Sequence, residues 1–116
     1  MSSVLIVGID PHAVPGLDGD AISAALEREL VRFGERGIDA ATVLVTWDGA
    51  AEAAIVGALV TRPWDVVVVG GGIRKAEALL SLFEQVVNLV RRHAPGAAVA
   101  FSTGVSDSVE AAERWL

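Results

Sequence analysis

The chain has 116 residues, of which 53% are hydrophobic, and a formal net charge of −6. This length suits one domain with a single core, spanning residues 1–116. The lack of cysteine excludes disulfides, thiol catalysis and cysteine-bound metals, and an acidic chain with scattered basic residues predicts that nucleic acid is not a partner.

The apolar runs of the chain are short. None approaches the ~20 residues that a bilayer-spanning helix needs, so we expect no membrane partner. The start Met1-Ser2-Ser3 lacks the basic segment and small-residue cleavage site of a secretory signal. A cytoplasmic location is therefore expected.

Four short runs rich in β-branched residues predict strands that are covered on both faces. Such continuous apolar runs are typical of parallel sheets. The predicted strands are Ser3–Ile9, Thr42–Trp47, Asp65–Gly71 and Ala97–Ser102.

The segments between these strands have the period of amphipathic helices. Apolar residues recur at Ile22, Leu26, Leu30 and Phe33, and helices are expected in the two later segments and at the C-terminus as well. Asp20 and Asp48 are predicted to cap the first two helices, and Asp107 to Glu110 has the spacing of a capping box for the last.

The alternation of strands and helices predicts a three-layer α/β/α sandwich. Right-handed crossovers give a four-stranded parallel sheet of order 2-1-3-4, the flavodoxin-like or Rossmann-like solution. The first and last helices should cover one face, and the other two the opposite face. Since an open sheet leaves two free edges and the helices are rich in alanine and leucine, a homodimer is expected.

Ligands of open α/β sheets bind at the carboxyl ends of the strands where strand order reverses, here between strands one and three. The turn after strand three is Gly70-Gly71-Gly72-Ile73-Arg74-Lys75. Arg74 and Lys75 are predicted in the first turn of the next helix, where cations are disfavoured by roughly 0.3–1 kcal/mol each. A bound anion would compensate, with Ser102 and Thr103 as further donors; a neighbouring carboxylate or a plain glycine turn are the alternatives.

Asp10 and His12 follow strand one at the same edge. A histidine can act as a general acid or base near neutral pH, and Asp10 could orient it. The alternative is a solvated histidine beside an Asx turn. Trp47, after strand two, is a stacking wall for a flat ligand or a core residue.

Known motifs are not matched at these positions. The glycine turn lacks a small residue at Lys75 and follows the third strand, so it is not a dinucleotide fingerprint, and it does not fit the phosphate loop of nucleotide hydrolases. No serine lies in the G-x-S-x-G of serine hydrolases. No metal site is predicted, and the sequence names no cofactor.

A broader likeness extends over nearly the whole chain. The segments "GIDP", "GGGIR", "LFE" and "RHAPGA" resemble those of small uncharacterised bacterial flavodoxin-like α/β proteins. The resemblance implies one domain of this fold and carries over no catalytic residue.

Three functions stay open on these residues. The first is binding of a small anion, a phosphate or carboxylate, at Gly70, Gly71, Gly72, Arg74 and Lys75 with Ser102 or Thr103. The second is an enzyme at the same edge, with His12 and Asp10 acting on a small anionic or carbonyl metabolite. The third is a homodimeric interaction module without a ligand.

Overall fold

The computed structural model describes residues 1–116 and contains one four-stranded sheet with five α-helices. The strands are β1 (Ser3–Ile9), β2 (Asp39–Val45), β3 (Val66–Val69) and β4 (Ala98–Phe101). The helices are α1 (Gly19–Glu35), α2 (Ala51–Leu59), α3 (Gly71–Arg74), α4 (Leu80–His93) and α5 (Ser108–Glu113), with short 3₁₀ turns at Pro11–Ala13 and Glu77–Leu79.

All strands are parallel, in the order β2-β1-β3-β4, as the sequence predicts. Val4 of β1 pairs with Val66 of β3, and Val66 pairs with Ala98 of β4, so these three residues lie side by side across the sheet. Val66 to Val69 are fully buried because helices cover both faces of β3. Each such side chain contributes roughly 1.5–3 kcal/mol by leaving water.

The two faces of the sheet build two cores. On one face Phe33 of α1 and Val109 and Ala112 of α5 pack against Val4 and Val68. On the other face α2, α3 and α4 pack against the side chains that alternate with these. The predicted placement of the helices is therefore confirmed, including the return of the last helix beside the first.

The segment after β3 differs from the single helix predicted there. Ala76 is extended (φ −83°, ψ 110°), which ends α3 after one turn and separates it from α4. Arg74 consequently lies in the last turn of α3, and Lys75 is its C-cap. The prediction of one continuous helix with both cations in its first turn is therefore wrong, because the helix that contains Arg74 ends at that residue.

None of the three aspartates predicted as caps makes a side-chain bond to the first turn of its helix. Asp18 rather than Asp20 caps α1, because its Oδ1 accepts the backbone N–H of Ala21 at 3.1 Å. Asp107 is the N-cap residue of α5, as predicted, but its side chain makes no bond to the helix. Ala50 rather than Asp48 is the N-cap residue of α2, and Asp48 lies just ahead of it, where its Oδ1 accepts the N–H of Ala50 at 2.8 Å.

Candidate functional site

A cleft of about 100 Å³ opens at the carboxyl edge of the sheet, on the face covered by α1 and α5. We call it the Ser102 cleft. Its inner end is formed by Ile6, Ser102 and Ser108, and α1 supplies Ile22 and Leu26 as one wall. Leu17, Leu44 and Val105 surround its mouth. They are 48%, 37% and 37% exposed, so the mouth is apolar as well.

The space exists because two neighbouring strands place glycine on the same face. Gly8 follows Ile6 by two positions in β1, and Gly70 follows Val68 by two positions after β3, so both glycines face α1. Both line the cleft. Missing side chains at adjacent positions leave room that the side chains of α1 do not fill.

Ser102 and Ser108 are the polar side chains of the cleft, and Ser102 is the one whose hydroxyl is buried without a partner. It is only 1% exposed, and its hydroxyl has no hydrogen-bond partner in the protein. Its backbone is fixed, since the N–H donates to Val69 O at 3.2 Å. Leaving a buried hydroxyl unpaired costs about 1–3 kcal/mol, which makes this position a natural place for a ligand group or a bound water.

The three glycines after β3 allow close approach. A Cβ on Gly71 would lie 2.9 Å from the backbone oxygen of Thr103, and one on Gly72 would lie 3.2 Å from a methyl group of Ile9. None of Gly70, Gly71 and Gly72 has a positive φ. The turn therefore needs glycine for contact distance and not for left-handed backbone.

Arg74 and Lys75 bind the protein itself. The Arg74 Nη2 donates to Ser102 O at 3.3 Å, and the Lys75 Nζ donates to Thr103 O. Neither side chain lines the Ser102 cleft. Their charges tie α3 to the loop after β4, although the Arg74 Nε is buried without a partner.

Thr103 is engaged in the loop after β4. Its N–H and its hydroxyl both donate to Asp107 Oδ2, at 2.9 and 2.7 Å. Burial alone would raise the pKa of Asp107, but these bonds and one from the Gly104 N–H hold it below the ordinary value. Thr103 thus shapes the loop and does not line the cleft.

His12 lies between two carboxylates outside the Ser102 cleft. Its Nε2 is 3.0 Å from Asp20 Oδ1, and its Nδ1 is 3.6 Å from Asp10 Oδ1. The hydrogen bond with Asp20 raises the pKa of His12, and the charges of both aspartates add to this effect. Asp10 lies near His12, but its oxygen is too far from Nδ1 for a hydrogen bond, and the exposed Asp20 rather than Asp10 bonds the ring. The arrangement joins the loop after β1 to the start of α1.

Trp47 lies on the other side of the sheet edge. Its side chain is 49% exposed, so it is not a core residue. With Val14 and Pro15 it borders a broad open groove. Asp48 on the same rim accepts the Thr46 hydroxyl at 2.6 Å, and this bond, with that from Ala50, lowers the pKa of Asp48.

No ionisable side chain lines the Ser102 cleft. Elsewhere, no three His, Asp or Glu side chains are grouped so that they could hold a metal ion. None of the helices combines the length and apolar character that crossing a bilayer requires. Of the residues singled out from the sequence, Gly70, Gly71, Gly72 and Ser102 meet at the cleft.

The sequence interpretation missed Leu17, Ile22, Leu26, Leu44, Val105 and Ser108 as cleft residues. The available signal was the pair of glycines, each two positions beyond an inward-facing strand residue. Comparison of the chain with protein-family models, with curated proteins and with solved structures finds no match.

Proposed function

We propose that this protein binds a small molecule in the Ser102 cleft and acts as a binding protein rather than an acid–base enzyme. The observation that carries the proposal is the buried, unpaired hydroxyl of Ser102 in the wall of an otherwise apolar cleft. Ligand sites in proteins commonly combine an apolar lining with a few polar groups that fix orientation. The location, at the carboxyl edge beside β1 and β3, is where this class of sheet binds ligands.

The chemistry of the lining favours binding over catalysis. Acid–base work needs a titratable group within hydrogen-bond reach of the reacting atoms. The cleft offers only hydroxyl and backbone groups, and His12 does not line it.

The small-anion prediction stays a second candidate, favoured by the buried and unpartnered Nε of Arg74. Its original argument, a pair of cations at a helix N-terminus, no longer supports it, because α3 ends at these residues. The homodimer also stays a prediction, and sedimentation at several protein concentrations tests it.

A cavity-filling pair of variants tests the binding proposal. Leu26→Phe places a larger side chain in the cleft, whereas Leu30→Phe makes the same change one turn later on α1, against the core. ¹⁵N–¹H spectra are recorded for wild type and both variants with a set of small neutral, anionic and cationic fragments. We expect at least one fragment to shift the Ser102, Gly72 and Gly104 amides in wild type and in Leu30→Phe, but not in Leu26→Phe.

Two results would overturn the proposal. One is that no fragment at millimolar concentration shifts the amides of the cleft. The other is that the shifts survive Leu26→Phe unchanged, which would place the ligand elsewhere.

A further inference from the structure

Most hydrogen-bonding groups at the inner end of the Ser102 cleft are already bonded within the protein. Gly70 O already accepts the N–H groups of Ile73 and Arg74, both at 3.2 Å. Ser102 O accepts from Arg74, and the Gly104 N–H donates to Asp107. The Ser102 hydroxyl has neither an acceptor for its proton nor a donor to its oxygen, and Ser108 supplies a second hydroxyl to the lining.

The charge around the cleft is equally informative. With no cation in the lining, a carboxylate or phosphate would lose its hydration without a counter-charge. With no carboxylate in the lining, an ammonium group would also lose its hydration without a counter-charge. An uncharged ligand avoids both costs.

The distribution of polarity from mouth to inner end sets the orientation. The exposed side chains of Leu17, Leu44 and Val105 surround the mouth, while the hydroxyl lies at the inner end. A ligand with one polar atom therefore enters with that atom first and leaves its apolar part against the mouth. An engineered apolar cavity of roughly 150 Å³ holds benzene, so a body of a few carbon atoms suits this cleft.

From these observations we infer that the ligand is a small neutral carbonyl compound with a branched or cyclic aliphatic body, whose oxygen accepts the Ser102 hydroxyl. This inference rests on the proposed function, since it names the ligand class of the same site. It predicts that a neutral carbonyl compound binds more tightly than the matching carboxylate, whereas the anion prediction expects the reverse.

Four probes make the comparison at pH 7. The compounds 3-methyl-2-butanone, isobutyramide and isobutyrate share one branched skeleton and differ only in the group on the carbonyl carbon; inorganic phosphate is the fourth probe. Dissociation constants come from ¹⁵N–¹H titrations that follow the Ser102, Gly104 and Gly72 amides. We expect the ketone and the amide to bind, and isobutyrate to bind at least about tenfold more weakly.

Ser102→Ala tests the role of the hydroxyl, with Ser81→Ala on the exposed surface of α4 as the matched control. We expect Ser102→Ala to weaken ketone binding about tenfold while Ser81→Ala leaves it unchanged. If the alanine variant does not fold, the wild-type ranking of the ketone against isobutyrate still decides the inference.

The outcomes separate the inference from the function on which it rests. Two results would overturn the inference and leave a ligand site in place. One is tighter binding of isobutyrate or phosphate than of the ketone, and the other is a dissociation constant for the ketone that Ser102→Ala does not change. If none of the four probes shifts the cleft while other fragments do, the inference fails alone. If no molecule of any kind shifts it, and Ser102 holds only a water, both fail.

Discussion

At the scale of single residues, charged and polar side chains of the carboxyl edge are used mainly to fix loops. Arg74, Lys75 and Thr103 had the right residue types for an anion site, but each is bonded to a neighbouring backbone or carboxylate group. Ser102 is the exception, because its hydroxyl is buried and unpaired. The sequence predicts the carboxyl edge, where the Ser102 cleft lies. The partners of Arg74 and Lys75 are backbone oxygens 28 residues further along the chain, which local patterns do not encode.

The contact of His12 with Asp20 and Asp10 makes the stability of the fold depend on pH. Because the folded-state pKa of His12 is raised above 6.5, its contribution is fully present below that pH and is lost as the pH rises through the folded-state value. We expect His12→Ala to lower the melting temperature more at pH 5.5 than at pH 8.5. Thermal melts at the two pH values, with His93→Ala as the control, measure the difference, and an equal loss at both would contradict the assignment.

Gly71 and Gly57 give opposite predictions for the same substitution. In Gly71→Ala the new methyl group meets the Thr103 backbone 2.9 Å away, so we expect a loss of about 1–3 kcal/mol in the free energy of unfolding. In Gly57→Ala, inside α2, the methyl group meets nothing within 4 Å and should stabilise by about 0.5–1 kcal/mol. Urea unfolding of both variants measures the two effects. An unchanged free energy of unfolding in Gly71→Ala would mean that the turn can shift away from Thr103 and would contradict the prediction.

At the scale of elements, strand order and helix placement were predictable because crossover handedness and apolar period leave few arrangements. The helix ends were less predictable. The start of α5 is satisfied by Glu29 of α1, whose Oε1 accepts the Val109 N–H at 3.2 Å across 80 residues of sequence. The predicted capping box fails for the same reason, since Asp107 serves the preceding loop and Glu110 pairs with Arg32.

Glu29 is therefore expected to hold α5 onto α1. It is 2% exposed, and its second oxygen accepts the Arg32 Nη1 at 2.6 Å. Glu29→Ala should lower the free energy of unfolding by about 3 kcal/mol, because it leaves the buried Val109 N–H unpaired and removes the buried carboxylate partner of Arg32. Glu27→Ala, exposed on the same helix, should change it by less than about 0.5 kcal/mol. Equal effects in urea unfolding would argue against this role.

At the scale of the whole molecule, stability is concentrated in the two central strands. Val4, Val7 and Val66 to Val69 are completely buried, whereas the outer strands expose Leu44 and Phe101 in part. The cleft lies at the carboxyl end of these strands, and loops border its mouth.

Native-state hydrogen exchange should reflect this division. We expect the amides of β1 and β3 to exchange only through global unfolding, and those of the loops at Pro11–Leu17 and Thr103–Asp107 to exchange by local opening. Exchange followed by ¹⁵N–¹H spectra at rising urea concentration measures the two classes. Protection of the loops equal to that of the centre would show that the cleft opens only when the protein unfolds.

Lys75, which ties the end of α3 to Thr103, is the chain's only lysine. Reagents that attack primary amines thus have two targets, the N-terminal amine and a side chain that holds the loop carrying Ser102 and Gly104. Acylation there removes the positive charge and the donated hydrogen bond together. Coupling through Lys75 to an amine-reactive surface would remove the bond to Thr103, so the binding experiments proposed above should attach the protein through some other group.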